Sequence, residues 1–322
     1  MQKTLEILRE LNEIPLVSSR EEVFFPELER KVKSWLPSYT VLNIHNNLLV
    51  FPKVKKVENL LFAHTDEIGF LVKRHIGENA YELQTIGLVN IQAAHGIKVQ
   101  TFWNGKKYLG VVGNILPHSG ETSDKLVVEF SENVSLPPLW PVQFANEPMF
   151  TDYIFSKTLD NHIGGASLIA TAQKRNLGFV LTSGEEEGTQ RLRNLIKRVK
   201  EFFEYESIIV VDSCPSNQDP YYKQKTMIDE GNLGIIPVEG GGSGDKAPQK
   251  LLDKVKTLIE KSGTKVNAIE THFPDEITDA TNLYKIGVEA VSIGYPLRYL
   301  HNPIEVANKK TLENLQNFLL QV

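Results

Sequence analysis

Residues 60–70 read LLFAHTDEIGF, an apolar run that is followed at once by polar side chains. The apolar run predicts a buried β-strand that ends near His64. Because successive side chains of a strand point to opposite faces, His64 and Asp66 lie on the same side of the chain. An imidazole beside a carboxylate is a pattern of metal sites, although a single histidine at a strand end is more often structural. Whether His64 and Asp66 belong to a metal site therefore depends on the rest of the sequence.

The composition restricts the class of protein. The chain has 322 residues, enough for one large domain or two smaller ones, and its 41% hydrophobic and 23% charged residues are typical of a globular protein. The net charge of −5 gives no indication of nucleic acid or an anionic membrane as a partner. The single cysteine, Cys214, excludes an intrachain disulfide and fits a reducing compartment.

The N-terminal segment does not resemble a targeting signal. Residues 1–11 carry apolar side chains at helical spacing with charges between them, which is typical of an amphipathic helix. No apolar run approaches the roughly 20 residues that a membrane helix needs. We therefore expect a cytoplasmic enzyme or binding protein that has no membrane partner.

Two kinds of pattern divide the chain. Residues 1–67 and 156–322 alternate helical and strand patterns, which predicts an α/β domain with a mainly parallel central sheet and helices on both faces. Residues 68–155 contain short β-rich runs and clustered prolines without helical periodicity, and Asn104-Gly105 is a typical hairpin turn. We predict that this middle segment is a small inserted domain that resembles a β-barrel.

Further polar side chains follow the predicted strands of the α/β domain, where ligands bind in parallel sheets. A strand at 178–182 precedes three adjacent glutamates at 185–187, which repel one another unless a cation lies among them. The alternative is the first turn of the next helix, where the helix dipole favours acidic residues. A second apolar strand, at 207–212, ends in Asp212.

Asp160 and His301 extend the set. Asp160 stands just before a helix predicted over 161–174, and a helix N-cap is the alternative explanation for an aspartate there. His301 lies in a loop predicted after a strand at 290–293. Two histidines and three carboxylates, with a further carboxylate to handle a water, are the inventory of a two-metal site. The candidates are His64, Asp160, Glu186, Asp212 and His301, with Glu185 beside them.

In their order and spacing, these motifs resemble the glutamyl-aminopeptidase and tetrahedral-aminopeptidase family of co-catalytic dinuclear metallopeptidases. The similarity extends over nearly the whole chain and includes an inserted β domain between the first two motifs. The matching segments are HTDEIG at 64–69, DNHIG at 160–164, EEEG at 185–188, Asp212, TDA at 278–280 and RYLHNPIE at 298–305.

The resemblance implies a zinc-peptidase-like fold and two divalent metal ions in each subunit. Zinc is the expected metal, with cobalt or manganese as alternatives, and mixed nitrogen and oxygen ligands suit all three. The implied ligands are His64 and Asp212 for one ion and Glu186 and His301 for the other, with Asp160 bridging the two.

The resemblance also implies the catalytic roles. Glu185 would be the general base that takes a proton from the metal-bound water, and Asp66 would orient His64 and raise its basicity as a ligand. The implied reaction removes the N-terminal residue of a peptide, whose free amine is anchored near the metals. The inserted domain would mediate homo-oligomerisation, as a dimer or as a twelve-subunit shell.

Other functions and some departures from the family pattern remain open. Another amide hydrolase on the same scaffold, such as a deacylase, and a binding protein that has lost catalysis are the alternatives. His162 stands where the family has arginine, and the glycine-rich run at 239–246 lacks the spacing of a phosphate-binding loop. We expect the loops around 239–247 and 271–279 to form the substrate pocket, whose residue preference the sequence leaves open.

Overall fold

The computed structural model describes residues 1–53, 56–114, 125–188, 192–202, 204–220, 228–239, 245–264, 266–267 and 278–322. The helices are α1 (Gln2–Asn12), α2 (Phe25–Trp35), α3 (Ile91–Ala94), α4 (Leu159–Ala172), α5 (Leu192–Phe202), α6 (Gln249–Lys261), α7 (Asp279–Lys285) and α8 (Lys309–Leu319), with a 3-10 helix at Glu21–Val23. The strands are β1 (Thr40–Asn43), β2 (Leu48–Phe51), β3 (Lys56–His64), β4 (Gly69–Gly77), β5 (Ala80–Ile86), β6 (Lys98–Trp103), β7 (Lys106–Asn114), β8 (Leu126–Phe130), β9 (Pro141–Phe144), β10 (Met149–Phe150), β11 (Tyr153–Ser156), β12 (Gly178–Thr182), β13 (Glu204–Pro215), β14 (Leu233–Ile236), β15 (Val238–Glu239), β16 (Asp245–Lys246), β17 (Val266–Asn267), β18 (Val291–Arg298) and β19 (Glu305–Asn308).

The central sheet has a parallel core with antiparallel strands on both sides. Strands β12, β3, β13 and β18 run parallel in that order, and Thr182 pairs with His64 where β12 and β3 end. Strands β2 and β1 extend the sheet on one side, and β19, β11 and β10 extend it on the other. The prediction of an α/β fold with a mainly parallel sheet is confirmed. Because parallel strands end at the same edge, the polar residues after β3 and β12 lie side by side.

Helices cover both faces of this sheet, as predicted. Alternate residues of β3 and β13 enter two separate apolar clusters, one under α1, α2, α4, α6 and α8 and the other under α5 and α7. Every residue of α4 is buried, and Ile7, Leu8 and Leu11 of α1 form the apolar stripe of the same cluster. Among the described helices, none combines the length and the apolar character that crossing a membrane requires.

Strands β4 to β9 form a closed barrel in the order β4-β5-β8-β7-β6-β9, which confirms the predicted barrel-like insertion. Inside it, the rings of Phe70 and Phe144 meet edge to face with their centroids 5.2 Å apart. The turn between β6 and β7 places Asn104 and Gly105 at φ angles of 50° and 76°, as a tight hairpin requires. The predicted segment 68–155 also includes β10 and most of β11, which pair with the central sheet instead of the barrel.

Two strands of the central sheet, β13 and β18, continue past their predicted C-terminal ends. Strand β13 continues past Asp212 to Pro215, and β18 continues past Ile293 to Arg298. The two strands pair along this whole extension, with Pro215 opposite Leu297. Tertiary pairing therefore overrides a local sequence that contains proline and arginine, which strand patterns seldom include.

Other elements were not predicted or lie partly outside the described chain. Strands β5, β9 and β19 were not predicted, and the glycine-rich connection at 229–248 contains β14, β15 and β16. Within that connection, residues 240–244 lie outside the described part. Of the strand predicted at 266–270, the structure describes only Val266–Asn267.

A buried ion pair joins the barrel to the α/β domain. Lys157, just before α4, pairs with Glu67 in the connection between β3 and β4, and both side chains are almost completely buried. Lys157 also donates to Gln143 of β9 (2.6 Å), and the hydroxyl of Thr158 donates to Glu67 (2.6 Å). Burial lowers the pKa of Lys157, and the carboxylate of Glu67 opposes this shift. The network therefore fixes the barrel beside the segment that carries Asp160.

Packing around Gly110 of β7 leads to a prediction about stability. A Cβ atom at Gly110 would lie 2.6 Å from Cγ2 of Val128 and 2.9 Å from the carbonyl oxygen of Glu129. We expect Gly110→Ala to lower the free energy of unfolding by roughly 1–3 kcal/mol, the usual effect of overpacking. Gly77→Ala is the matched control, because its Cβ would meet only the Cβ of Ala80 at 3.5 Å. Urea unfolding followed by tryptophan fluorescence measures both, and equal midpoints would contradict this account of the barrel.

Candidate metal centre

The predicted site residues converge at the carboxyl edge of the central sheet. His64 is the last residue of β3, and residues 185–186 form a turn directly after β12. Asp212 lies within β13, Asp160 is the second residue of α4, and His301 lies between β18 and β19. The structure thus brings together side chains from five separate segments of the chain.

Asp160 lies between the two histidines. Its Oδ1 is 3.2 Å from Nε2 of His64, and its Oδ2 is 3.7 Å from Nε2 of His301. A further carboxylate approaches the same nitrogen of each histidine: Asp212 Oδ1 is 3.5 Å from Nε2 of His64, and Glu186 Oε2 is 3.5 Å from Nε2 of His301. One ligand atom from each of His64, Asp160 and Glu186 lies within 4.8 Å of the others. The geometry therefore offers two adjacent sets of ligands that share one carboxylate.

The tautomer of His64 is set by its surroundings. Its Nδ1 lies 3.2 Å from the carbonyl oxygen of Asp66, which can only accept, so Nδ1 carries the proton. Nε2 then faces the carboxylates of Asp160 and Asp212. Burial lowers the pKa of His64, but these two carboxylates outweigh burial and raise the pKa well above its ordinary value. The space between His64, Asp160 and Asp212 therefore favours a positive charge.

Buried carboxylates around His64 repel one another. Burial raises the pKa values of Glu185 and Glu186 well above the ordinary value, with further contributions from neighbouring carboxylates, and burial raises the pKa of Asp212 to about 6. Oε1 of Glu185 is buried and has no hydrogen-bond partner among the described residues. Divalent cations remove such repulsion, and the mixed nitrogen and oxygen donors suit zinc, cobalt or manganese. The residues therefore fit a pair of metal ions.

Glu305 holds the backbone of two candidate ligands. His301 adopts the left-handed conformation (φ 58°), which is strained for a residue with a side chain. Glu305 accepts from the N–H of His301 through Oε1 and from the N–H of Asp160 through Oε2, both at 3.0 Å. Burial and the carboxylate of Asp160 raise the pKa of Glu305 to about 8. Glu305 was not among the predicted site residues, and its place in the RYLHNPIE motif is the signal in the sequence that marks it.

Asp66 acts on the site through its backbone as well as its side chain. The carbonyl oxygen lies within hydrogen-bonding distance of His64, whereas the carboxylate oxygen Oδ1 is 3.6 Å from Nδ1. The carboxylate instead accepts from the N–H groups of Glu185 (3.2 Å) and Glu186 (3.1 Å). Asp66 therefore fixes the turn that carries both glutamates, a contact that side-chain alternation along a strand does not reveal.

Asp279 is a further buried carboxylate, which was not among the predicted site residues. It begins α7 within the TDA motif and accepts a hydrogen bond from the hydroxyl of Thr182, at the end of β12. Burial raises the pKa of Asp279 to about 7, although the hydrogen bond from Thr182 opposes the shift. The charges of Asp279 and Glu185 also interact, so Asp279 belongs to the same acidic surroundings.

His162 lies beneath the candidate ligands, where the related family has arginine. Its Nε2 lies 3.0 Å from the carbonyl oxygen of Thr65, and its Nδ1 lies 2.7 Å from Oδ1 of Asn12. Burial and the nearby Lys157 lower the pKa of His162 to about 3. The peptide bond between Asp160 and Asn161, just before it, is cis. His162 thus connects α4 with α1 and with the end of β3, outside the ligand set.

Some predicted features do not join this centre. Cys214 is buried in β13, in agreement with the expectation of a small core residue. Of the expected pocket walls, residues 240–244 and 271–277 lie outside the described part of the chain.

Comparison with known proteins identifies the family of the chain. Residues 46–136 and 137–318 match the sequence profile of the M42 glutamyl aminopeptidases. The chain belongs to this family. It is therefore a metal-dependent aminopeptidase, a hydrolase that releases N-terminal residues from peptides, and the two alternatives, a deacylase and a non-catalytic binding protein, gain no support. A protein of Acetivibrio thermocellus that is named provisionally as an aminopeptidase is 23% identical over 348 aligned residues, covering 98% of this chain and 97% of that protein.

Solved structures show the same fold. An aminopeptidase of the archaeon Desulfurococcus kamchatkensis is similar with a TM-score of 0.83 and 19% identity, covering 99% of this chain and 94% of that one. The TET1 peptidase of Pyrococcus horikoshii, which can assemble into a tetrahedron or a large octahedral shell, has a TM-score of 0.77 and 21% identity, covering 99% and 98%.

The contacts of Asp66 generate a test of the centre. In Asp66→Asn only one side-chain oxygen remains to accept from the two N–H groups of the turn. We expect metal affinity and kcat/KM to fall by about 10- to 100-fold, as for other residues that orient metal ligands. Glu187→Gln is the control, because its amide oxygen can still accept from the N–H of Gly87, a 2.6 Å bond in the native protein. Chelator competition and peptide hydrolysis measure the effect, and equal losses in both variants would count against this role of Asp66.

Proposed function

We propose that this aminopeptidase binds two divalent ions per subunit, zinc in the first place and cobalt or manganese as alternatives. His64 and Asp212 would hold one ion, Glu186 and His301 would hold the other, and Asp160 would be shared between them. The placement of Asp160, with one carboxylate oxygen toward each histidine, is the observation that carries the proposal. Burial lowers the pKa of His301, which keeps the imidazole neutral and able to bind a metal.

Glu185 is the proposed general base. When bound, the pair of ions lowers the pKa of a water molecule and stabilises the negative charge that develops on the substrate carbonyl oxygen. Glu185 takes the proton of the attacking water and passes it to the leaving amine. Its buried Oε1, which lacks a partner among the described residues, is available for that proton. The raised pKa of Glu185 makes its carboxylate a stronger base than that of an ordinary glutamate.

The remaining buried carboxylates suit the substrate. A peptide presents a cationic α-amine, and the surplus of acidic groups at the carboxyl edge attracts it. Asp66 and Glu305 act on the chemistry indirectly, because they hold the backbone of Glu185, Glu186 and His301. We propose that the free amine is anchored beside the metals, which places the first peptide bond against Glu185.

We further propose a cytoplasmic homo-oligomer that assembles through the barrel. The single cysteine in the sequence suits a reducing compartment. On the outside of the barrel, Leu109 and Val111 of β7 are 47% and 48% exposed and lie on the same face of the strand. An exposed apolar pair on a barrel suits contact with another copy of the chain. The assembly of the TET1 peptidase into closed shells agrees with this proposal.

Substitution of the proposed base tests the catalytic assignment. Glu185→Gln keeps the shape of the side chain but cannot accept a proton, so we expect kcat for an unblocked peptide to fall by about 10²- to 10⁴-fold. Bound metal, measured by elemental analysis, should equal that of the native enzyme. Glu201→Gln, an exposed change on α5, controls for the loss of one negative charge. Unchanged turnover in Glu185→Gln would show that the assignment is wrong.

The assembly proposal predicts an effect on particle size. Replacing both Leu109 and Val111 by lysine introduces like charges that would face each other in an interface, so we expect a smaller sedimenting species. Leu320→Lys, at an exposed apolar position after α8, should leave the sedimentation coefficient unchanged. Sedimentation velocity compares the three proteins, and an unaltered coefficient for the barrel variant would argue for a different contact surface.

A further inference from the structure

A cavity of about 430 Å³ lies beside the metal centre, on the side of β2 and β12. Its walls include Glu21 of the 3-10 helix, His45 and Asn46 from the turn before β2, and Ser183 and Gly184 after β12. The metal ligands proposed above are absent from its described lining. Because Ser183 and Gly184 directly precede the turn of Glu185 and Glu186, the cavity adjoins the reaction site without being part of it. Its volume is within the range of pockets that bind small groups.

The cavity is held in shape by hydrogen bonds between its walls. Asn47 accepts from the N–H of Ser183 (3.2 Å) and donates to the carbonyl oxygens of Ile44 (3.2 Å) and His45 (3.0 Å). His45 and Asn46 both adopt left-handed backbone conformations, with φ angles of 52° and 62°. Such conformations persist only where the surrounding contacts enforce them. The cavity is therefore formed before any ligand arrives.

Glu21 gives the cavity its chemical character. The side chain is only 6% exposed, and its carboxylate accepts hydrogen bonds from its own N–H and from the N–H of Ser19. Among the described residues, no lysine or arginine pairs with it, because Arg20 is paired with the exposed Glu22 at 2.8 Å. Burial, and next the charge of Asp66, raise the pKa of Glu21 to about 8. A cation in the cavity would stabilise the charged form of Glu21 and so oppose the effects of burial and of the Asp66 charge on its pKa.

The position of the cavity relative to Glu185 indicates which part of a substrate reaches it. In the function proposed above, the first residue of a peptide would be held at the metal centre by its amine and its scissile carbonyl group. Ser183 and Gly184 adjoin Glu185 in the chain, and an extended peptide advances about 3.3 Å per residue, so a residue beyond the first would be the one to reach this wall. A long basic side chain from such a residue carries its charge on a flexible apolar stem, which suits a deep polar cavity.

We propose that this cavity is a specificity site for a lysine or arginine at the second or third position of the peptide substrate, and that the carboxylate of Glu21 binds its cationic group. The assignment of the bound group to a peptide rests on the aminopeptidase function proposed above. The cavity itself, with a buried Glu21 that pairs with no lysine or arginine among the described residues, is an observation independent of the reaction.

Hydrolysis of matched peptides tests the proposal. Ala-Lys-Ala-Ala and Ala-Ala-Lys-Ala are compared with the same peptides carrying norleucine, which keeps the apolar stem of lysine without its charge. We expect KM to be about tenfold lower for lysine at one of these positions, the size of one hydrogen bond to a charged group, with kcat unchanged. Glu21→Gln should remove the difference and leave norleucine peptides unaffected, whereas Glu260→Gln, an exposed change on α6, should preserve it.

A binding measurement separates this proposal from the catalytic one. Calorimetry with the uncleavable peptide Ala-ψ(CH2NH)-Lys-Ala-Ala and its norleucine counterpart should show the same difference in the native protein. Peptide hydrolysis without any preference for lysine, or with a preference at the first residue only, would overturn the cavity assignment and leave the aminopeptidase intact. A preference that survives in Glu21→Gln would also overturn it. Selective binding without hydrolysis would support the cavity and count against the proposed mechanism.

Discussion

Carboxylates and imidazoles share a small volume at the carboxyl edge of the central sheet, and repulsion among the carboxylates must be overcome for the fold to form. Asp160 lies between His64 and His301, and Asp212 and Glu186 approach the same nitrogen atoms of these two histidines. Hydrogen bonds from backbone N–H groups stabilise this arrangement: two N–H groups donate to Asp66 and two to Glu305. Divalent ions would convert the repulsion into attraction, so metal binding and the stability of this edge are linked.

The sequence was sufficient to predict which segments meet, because the meeting point follows from topology. Once His64 and Asp212 are assigned to parallel strands, their ends must lie at one edge of the sheet, and Glu185, Glu186 and Asp160 follow from the same rule. The barrel was predictable from short strands and a hairpin signal. These inferences need only the periodicity of side chains and the order of elements.

The details that sequence patterns did not reveal depend on tertiary contacts. Strand β13 passes Asp212 because β18 pairs with it as far as Pro215, and no local pattern records that partner. Asp66 binds His64 through its carbonyl oxygen and leaves its carboxylate to the Glu185 turn, a choice between two nearby acceptors that spacing does not distinguish. Glu305 belongs to a matching motif, but the sequence did not reveal what it does. Its partners are backbone N–H groups, which leave no pattern in the side chains.

The barrel is inserted between the first two residues of the centre, and this order has a consequence for biosynthesis. The contact between His64 and Asp160 spans 96 residues of sequence, and His301 is made later still. A chain on the ribosome therefore carries isolated ligands for much of its translation, and the full set exists only after residue 301 has emerged and the sheet has closed. Activity that depends on the proposed metal centre therefore requires that nearly the whole chain has been made.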